Sequence, residues 1–80
     1  MEAYILIRVA EKGSRDVQKF LRTSCREHVL DAEVLIGGER DVIAKVTFNN
    51  VRELDEILFT QIQGHPRVDS TVTYIVSESS

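Results

Sequence analysis

The chain has 80 residues, a formal net charge of −3 and a single cysteine. This length allows one domain, which we assign to residues 1–80, with a core so thin that association would help to stabilise it. The mixed charge argues against a direct nucleic-acid partner, and every apolar run is far shorter than the ~20 residues of a membrane span. Cys25 has no partner for an internal disulfide and the first residues do not form a signal peptide, so we expect a cytoplasmic protein without a membrane partner.

Six elements are predicted in chain order. Runs of β-branched and aromatic residues predict strands at 3–10, 29–36, 41–48 and 68–76. Apolar residues at helical spacing predict a helix at about 15–26, capped by Ser14, and a second helix that starts with the capping-box pair Asn50 and Glu53 and is stopped by Gly64 and Pro66.

The order βαββαβ predicts an α+β, ferredoxin-like fold. In this fold a four-stranded antiparallel sheet carries both helices on one face. Right-handed crossovers give the spatial strand order 4-1-3-2.

Alternation along the strands assigns the side chains to two faces of the sheet. The face under the helices is predicted to be almost wholly apolar, with Ile5, Ile7, Val9, Leu30, Ala32, Val34, Ile36, Val42, Ala44, Val46, Phe48, Val68, Val72, Tyr74 and Val76. The opposite face is predicted to carry Tyr4, Leu6, Arg8, Asp31, Glu33, Leu35, Ile43, Lys45, Thr47, Thr71, Thr73 and Ile75.

The second of these faces is too apolar for a plain solvated surface. It combines aliphatic and aromatic side chains with charges of both signs, a mixture that suits a two-fold interface between copies of the chain. We therefore predict a dimer or larger assembly, with these residues at the interface: Tyr4, Leu6, Arg8, Leu35, Ile43, Lys45 and Ile75. The alternative is a scatter of surface hydrophobic residues, which is common in soluble proteins.

No motif predicts catalysis, a cofactor or a metal. His28 and His65 lie in separate loops without neighbouring ligands at metal spacing, and Cys25 lies on the apolar stripe of the first helix as a small core residue. A sheet that binds RNA needs stacking aromatic and basic side chains on its open face, and this face offers Tyr4 with two acids.

The hairpin loop from Gly37 to Asp41 has two interpretations. Two glycines are typical of a turn that needs positive φ angles, and an aspartate can shape such a turn by accepting backbone N–H bonds. The same residues could form a binding loop, although they match no phosphate-binding motif.

The hairpin and the last strand together resemble the C-terminal ligand-binding domain, called RAM, of the Lrp/AsnC feast-or-famine regulators. The family's hairpin reads glycine, any residue, an aromatic, aspartate and an apolar strand, and "GERDVI" from Gly38 follows it with Arg40 in place of the aromatic. The family's ending matches the segment "PRVDSTVTYIV" from Pro66. The resemblance covers almost the whole chain. The sequence lacks the family's N-terminal helix-turn-helix. The chain is therefore similar to the stand-alone RAM proteins and is expected to be complete.

The resemblance implies an amino-acid sensor rather than an enzyme. It implies dimers formed through their sheets, assembly into rings of four dimers, full-length regulators as further partners, and a free amino acid bound between dimers near the hairpin loop. Loop amides would hold the α-carboxylate and Asp41 the α-ammonium. The implied ligand-binding residues are Gly37, Gly38, Glu39, Arg40, Asp41, Ser70, Thr71 and Thr73.

Two other functions stay open at this point. One is a small dimeric α+β-barrel enzyme, such as a cofactor-free monooxygenase or isomerase, which would need a titratable group in the apolar core. The other is a pure assembly partner that tunes the oligomerisation of full-length regulators.

Overall fold

The computed structural model describes residues 1–77 and has the element order βαββαβ. The strands are β1 (Glu2–Val9), β2 (Val29–Val34), β3 (Val42–Thr47) and β4 (Val68–Ile75). The helices are α1 (Ser14–Thr23) and α2 (Val51–Glu56), and α2 continues as a π-helical segment (Ile57–Ile62). Neither helix in this part of the chain is long and apolar enough to cross a membrane.

The four strands form one antiparallel sheet in the order β2-β3-β1-β4. Both β1 and β3 are therefore central, and β2 and β4 are the edges. The predicted fold class and strand order are confirmed.

The two helix starts differ from each other. Asn50 caps α2 as predicted, because its side-chain oxygen accepts the N–H of Glu53 at 2.9 Å. The Glu53 carboxylate accepts the N–H of Asn49 at 3.2 Å rather than the N–H of Asn50. The prediction of Ser14 as a cap is wrong: the Gly13 carbonyl already accepts the N–H of Val17, so Ser14 lies inside the helix.

The core lies between the sheet and the helices. Strand residues such as Ile5, Ile7 and Val46 are fully buried against Leu21 of α1 and Ile57 after α2. Cys25 is 2% exposed, which confirms it as a core residue, and burial raises the pKa of its thiol. The predicted apolar face of β1 and β3 is thus confirmed.

A bulge in β4 reverses the predicted faces of that strand. Val9 pairs with Val68 and Arg8 pairs with Ser70, so Asp69 is an extra residue between them. Paired residues of antiparallel strands share a face, and one extra residue therefore exchanges the two faces for everything that follows. Thr71, Thr73 and Ile75 were predicted on the open face of the sheet, but they lie on the helix side. Val72 and Tyr74 were predicted on the helix side, but they lie on the open face.

A second bulge lies in β2. Val29 pairs with Val46 and Asp31 pairs with Lys45, which leaves Leu30 as the extra residue. Leu30 is 55% exposed, so its predicted place in the core is wrong and Val29 occupies it. Ile36 is also wrong as a core residue, because β2 ends at Val34 and the Ile36 side chain is fully exposed.

Candidate ligand-binding site

The β2–β3 hairpin loop is closed by a hydrogen bond from the Leu35 N–H to the Asp41 carbonyl at 2.8 Å. Gly37 and Gly38 have φ angles of 90° and 70°, and no other part of the protein lies within 4 Å of where a Cβ would be. The backbone conformation, rather than crowding, is therefore what requires glycine here. Within residues 1–77 none of the five amides from 36 to 40 donates a hydrogen bond to another part of the protein.

Asp41 fastens this loop to the end of β1. Its Oδ2 accepts the N–H of Val9 at 2.8 Å, and its own N–H donates to the carbonyl of Ile7 at 2.9 Å. The carboxylate therefore anchors the loop to β1, and no N–H of the turn residues 36–40 donates to it. It is half-buried, and its Oδ1 accepts no hydrogen bond from the described residues.

Arg40 connects the loop to the opposite edge strand. Its Nη1 donates to the hydroxyl oxygen of Ser70 at 2.7 Å, across the end of β1. Ser70 lies directly opposite Arg8 on the open side of the sheet. The fold thus brings loop residues 37–41 and Ser70 into one region.

Thr71 and Thr73 do not share the side of the sheet that Ser70 occupies. Both lie on the helix side, where the Thr71 hydroxyl accepts a hydrogen bond from Nε2 of Gln63 at 3.0 Å. Adjacent residues of a strand point to opposite faces, so Ser70 and Thr71 are separated with or without a bulge. The bulge at Asp69 decides that Ser70 is the one on the open side. The predicted cluster of three hydroxyls is therefore reduced to Ser70.

The open face is the side of the sheet away from the helices, and it lies next to this loop. Its residues are Tyr4, Leu6 and Arg8 of β1, Asp31 and Glu33 of β2, Ile43, Lys45 and Thr47 of β3, and Ser70, Val72 and Tyr74 of β4. Leu6 and Ile43 are half-buried, and Tyr74 is 59% exposed. A shallow depression of about 180 Å³ on it is lined by Tyr4, Asp31, Glu33, Ile43 and Lys45.

The charges beside this depression are partly paired within the chain. Lys45 Nζ lies 3.4 Å from Oε1 of Glu2 and 5.7 Å from the ring centroid of Tyr4, and the hydrogen bond to Glu2 raises the pKa of Lys45. Arg22 of α1 reaches Glu33 at 3.3 Å. The predicted interface residues therefore form one surface, with Leu35 half-buried at the loop, but Ile75 lies on the other side of the sheet.

The two histidines have local contacts. His28 Nδ1 lies 3.6 Å from a Glu53 carboxylate oxygen, and the His65 ring packs against Phe20 with centroids 4.9 Å apart. In the described residues no three His, Cys, Asp or Glu side chains are grouped to hold a metal ion.

The sequence pattern of the Lrp/AsnC ligand-binding domain matches residues 2–80. The chain belongs to this family. Membership gives the domain a regulatory, ligand-binding role and places it among non-enzymatic proteins.

Solved structures similar to this Lrp/AsnC domain fall into two lengths. FFRP-DM1 is 31% identical with a TM-score of 0.81, and the match covers 95% of this chain and 97% of that one. AsnC of E. coli is 23% identical with a TM-score of 0.86, over 98% of this chain and 51% of that one. A transcriptional regulator of Neisseria meningitidis, solved as a complex with L-Met, is 18% identical with a TM-score of 0.74, over 99% of this chain and 51% of that one.

The Lrp/AsnC domain therefore spans about half the length of these two regulators. A comparison with curated proteins finds no match.

Sequence reasoning missed two features of the site in this Lrp/AsnC domain. Val72 and Tyr74 belong to the open face, and no local signal marks the bulge that places them there. The contact between Arg40 and Ser70 joins residues 30 positions apart, so only the folded sheet brings them together.

Proposed function

We propose that this domain senses a free amino acid and assembles through its open face, as part of transcriptional regulation of amino-acid metabolism in the cytoplasm. The observation that carries the proposal is the hairpin loop, where five amides without a hydrogen-bond acceptor in residues 1–77 precede the half-buried carboxylate of Asp41 in the chain. A zwitterion needs one site for its anion and one for its cation, and this loop offers both within five residues.

The loop amides from Gly37 to Arg40 supply the donors for the α-carboxylate. Successive N–H groups around left-handed glycines form a concave site that binds anions. Oδ1 of Asp41 supplies the acceptor for the α-ammonium, while Oδ2 stays on the N–H of Val9. Binding of L-Met by the Neisseria regulator supports an amino acid as the ligand class.

The open face is the proposed surface for self-association. Its central aliphatic side chains, Leu6 and Ile43, are flanked by Tyr4 and Tyr74, while the charged Lys45 and Glu33 border them. An apolar centre with a polar border is the usual anatomy of a protein interface. We propose a dimer through this face, a ring of four dimers as the larger assembly, and full-length Lrp/AsnC regulators as further partners.

A thermal-shift screen with the twenty amino acids tests the ligand. A ligand at a hundred times its Kd adds about 2.7 kcal/mol to the free energy of unfolding. In a domain of this size each kcal/mol raises Tm by roughly 4–8 °C, so a binding amino acid is easily seen.

Two matched variants locate the site. Asp41→Asn keeps an oxygen that can accept the N–H of Val9 but removes the charge, so it should fold and lose the ligand response. Asp55→Asn makes the same change at an exposed side chain of α2, outside the loop, and it should keep the response. A full response from Asp41→Asn would show that the amino acid binds elsewhere.

The assembly-partner function is the second candidate, favoured by the apolar centre of the open face. It predicts a stable dimer with no melting shift from any of the twenty amino acids, and co-purification with a full-length regulator. The enzyme alternative is not retained, because the family is non-enzymatic.

A further inference from the structure

Two arginines lie near Ser70 on the open face, one in contact with it and one paired with it across the strands. Arg40 Nη1 lies 2.7 Å from the Ser70 hydroxyl oxygen. Arg8 is the β1 residue directly opposite Ser70, and side chains at paired positions of antiparallel strands start about 5 Å apart. Both guanidinium groups can therefore reach the space in front of Ser70.

Neither guanidinium group is neutralised inside the described part of the chain. No carboxylate oxygen in residues 1–77 lies within 4.0 Å of Arg8 or Arg40, whereas Arg22 and Lys45 each have an acidic partner. Arg40 is nevertheless half-buried, so its charge is held where water screens it less than at a free surface.

The contact with Ser70 holds the Arg40 guanidinium in place and leaves most of its N–H groups free to donate. Ser70 accepts one of the five N–H groups of Arg40 and keeps its own hydroxyl proton to donate. The remaining N–H groups form a planar fork that matches the two oxygens of a carboxylate. This arrangement leaves hydrogen-bond donors for an anion at the residue next to Asp41.

We infer that the ligand is an amino acid with an acidic side chain, whose second carboxylate binds Arg40 and Arg8 beside Ser70. The inference rests on the proposed function, since it adds a side-chain subsite to the loop that holds the zwitterion. The ligand class is therefore L-glutamate or L-aspartate, and their amides lack the charge that this subsite selects.

Calorimetric titration of the wild-type chain with L-glutamate, L-glutamine, L-aspartate and L-asparagine is the direct test. The acid of one pair should bind at least roughly tenfold more tightly than its amide, since a charge-assisted bidentate contact is about twice as strong as a neutral one. Inorganic phosphate and glutarate are titrated as anions without an α-ammonium.

Variants assign the selectivity to Arg40. Arg40→Gln should reduce glutamate or aspartate affinity by roughly ten- to a hundredfold and leave the amide almost unchanged. Arg40→Lys keeps the charge without the planar fork and should recover part of the loss. Arg26→Gln is the matched control, because Arg26 is exposed and has no acidic partner within residues 1–77.

The outcomes separate this inference from the proposed function. An amide that binds as tightly as its acid would leave the amino-acid sensor standing and overturn the acidic subsite. Glutarate binding as tightly as glutamate, with no effect of Asp41→Asn, would support the subsite and overturn the ammonium site.

Three further results would count against the subsite. No binding by any of these compounds would overturn the subsite, and the amino-acid sensor would fall with it only if the thermal-shift screen also found no response to the other amino acids. Phosphate binding that matches that of the acids would reduce the subsite to a general anion site. A loss of dimer in Arg40→Gln, seen by light scattering, would assign Arg40 to contact with a second copy instead.

Discussion

The two faces of the same sheet have different neighbours and different composition. On the helix side, Ile5 and Ile7 of β1 are fully buried in the hydrophobic core. Their sequence neighbours Tyr4 and Leu6 point to the open face, where Tyr4 remains 38% exposed and no helix of residues 1–77 covers them. One face therefore supplies most of the folding stability, while the other keeps apolar area available for a partner.

The largest expected effect that tests this difference is on association. Leu6→Lys places a charge in the centre of the open face, and an unpaired buried charge should cost the proposed dimer about 3–5 kcal/mol. Light scattering and sedimentation should show a monomer.

Val51→Lys serves as the control, since Val51 is 56% exposed on the outer side of α2. It should leave the assembly unchanged. A wild-type chain that is already monomeric at micromolar concentration would remove the basis for the proposed interface.

The next effect contrasts two adjacent residues of β1. Ile7→Ala empties a fully buried position and should lower the free energy of unfolding by about 2–5 kcal/mol. Leu6→Ala, measured by urea unfolding at a concentration where the chain is monomeric, should lower it clearly less. Equal losses would mean that the two faces contribute equally to the fold of one chain.

A smaller effect is expected at the boundary between the two faces. Asp41→Ala leaves the Val9 N–H without its acceptor, and we expect a loss of about 1–3 kcal/mol. Asp41→Asn should lose less, because an amide oxygen can take the same hydrogen bond. If urea unfolding finds the two variants equally unstable, the charge rather than the hydrogen bond stabilises the turn.

The smallest effect is on the reactivity of Cys25. Burial raises the pKa of this thiol, so at pH 8 less of it is thiolate than of an ordinary exposed cysteine. Alkylation followed by mass spectrometry should be slow for the native chain and fast in urea. Rapid modification of the native chain would indicate that the helix side of the sheet opens readily.

Much of the fold could be predicted from the sequence, because β1 and β3 alternate without interruption. The sequence also predicted the capping pair Asn50 and Glu53 and the helix stop at Gly64. The faces of the edge strands could not be predicted, because a bulge leaves no local signal in the sequence. In β4 the valines, threonines and tyrosine alternate regularly whether or not Asp69 is paired.

The candidate site was predictable only in its local part. The two glycines Gly37 and Gly38 predict positive φ angles, and both residues have them in the structure. The partners of Asp41 and Arg40 are 32 and 30 residues away, and side-chain contacts at that separation depend on how the strands are arranged. The prediction therefore located the loop but could not state what its side chains touch.

The bulge at Asp69 also determines how the gene can change in length. Removing codon 69 would leave Val68 opposite Val9 and Ser70 opposite Arg8, so β4 would become regular with every later side chain on its present face. Removing one codon from the middle of β1 would shift the register of that strand, because it has no extra residue there and is paired on both sides. We expect the edge strand to tolerate a one-residue deletion that the central strand cannot.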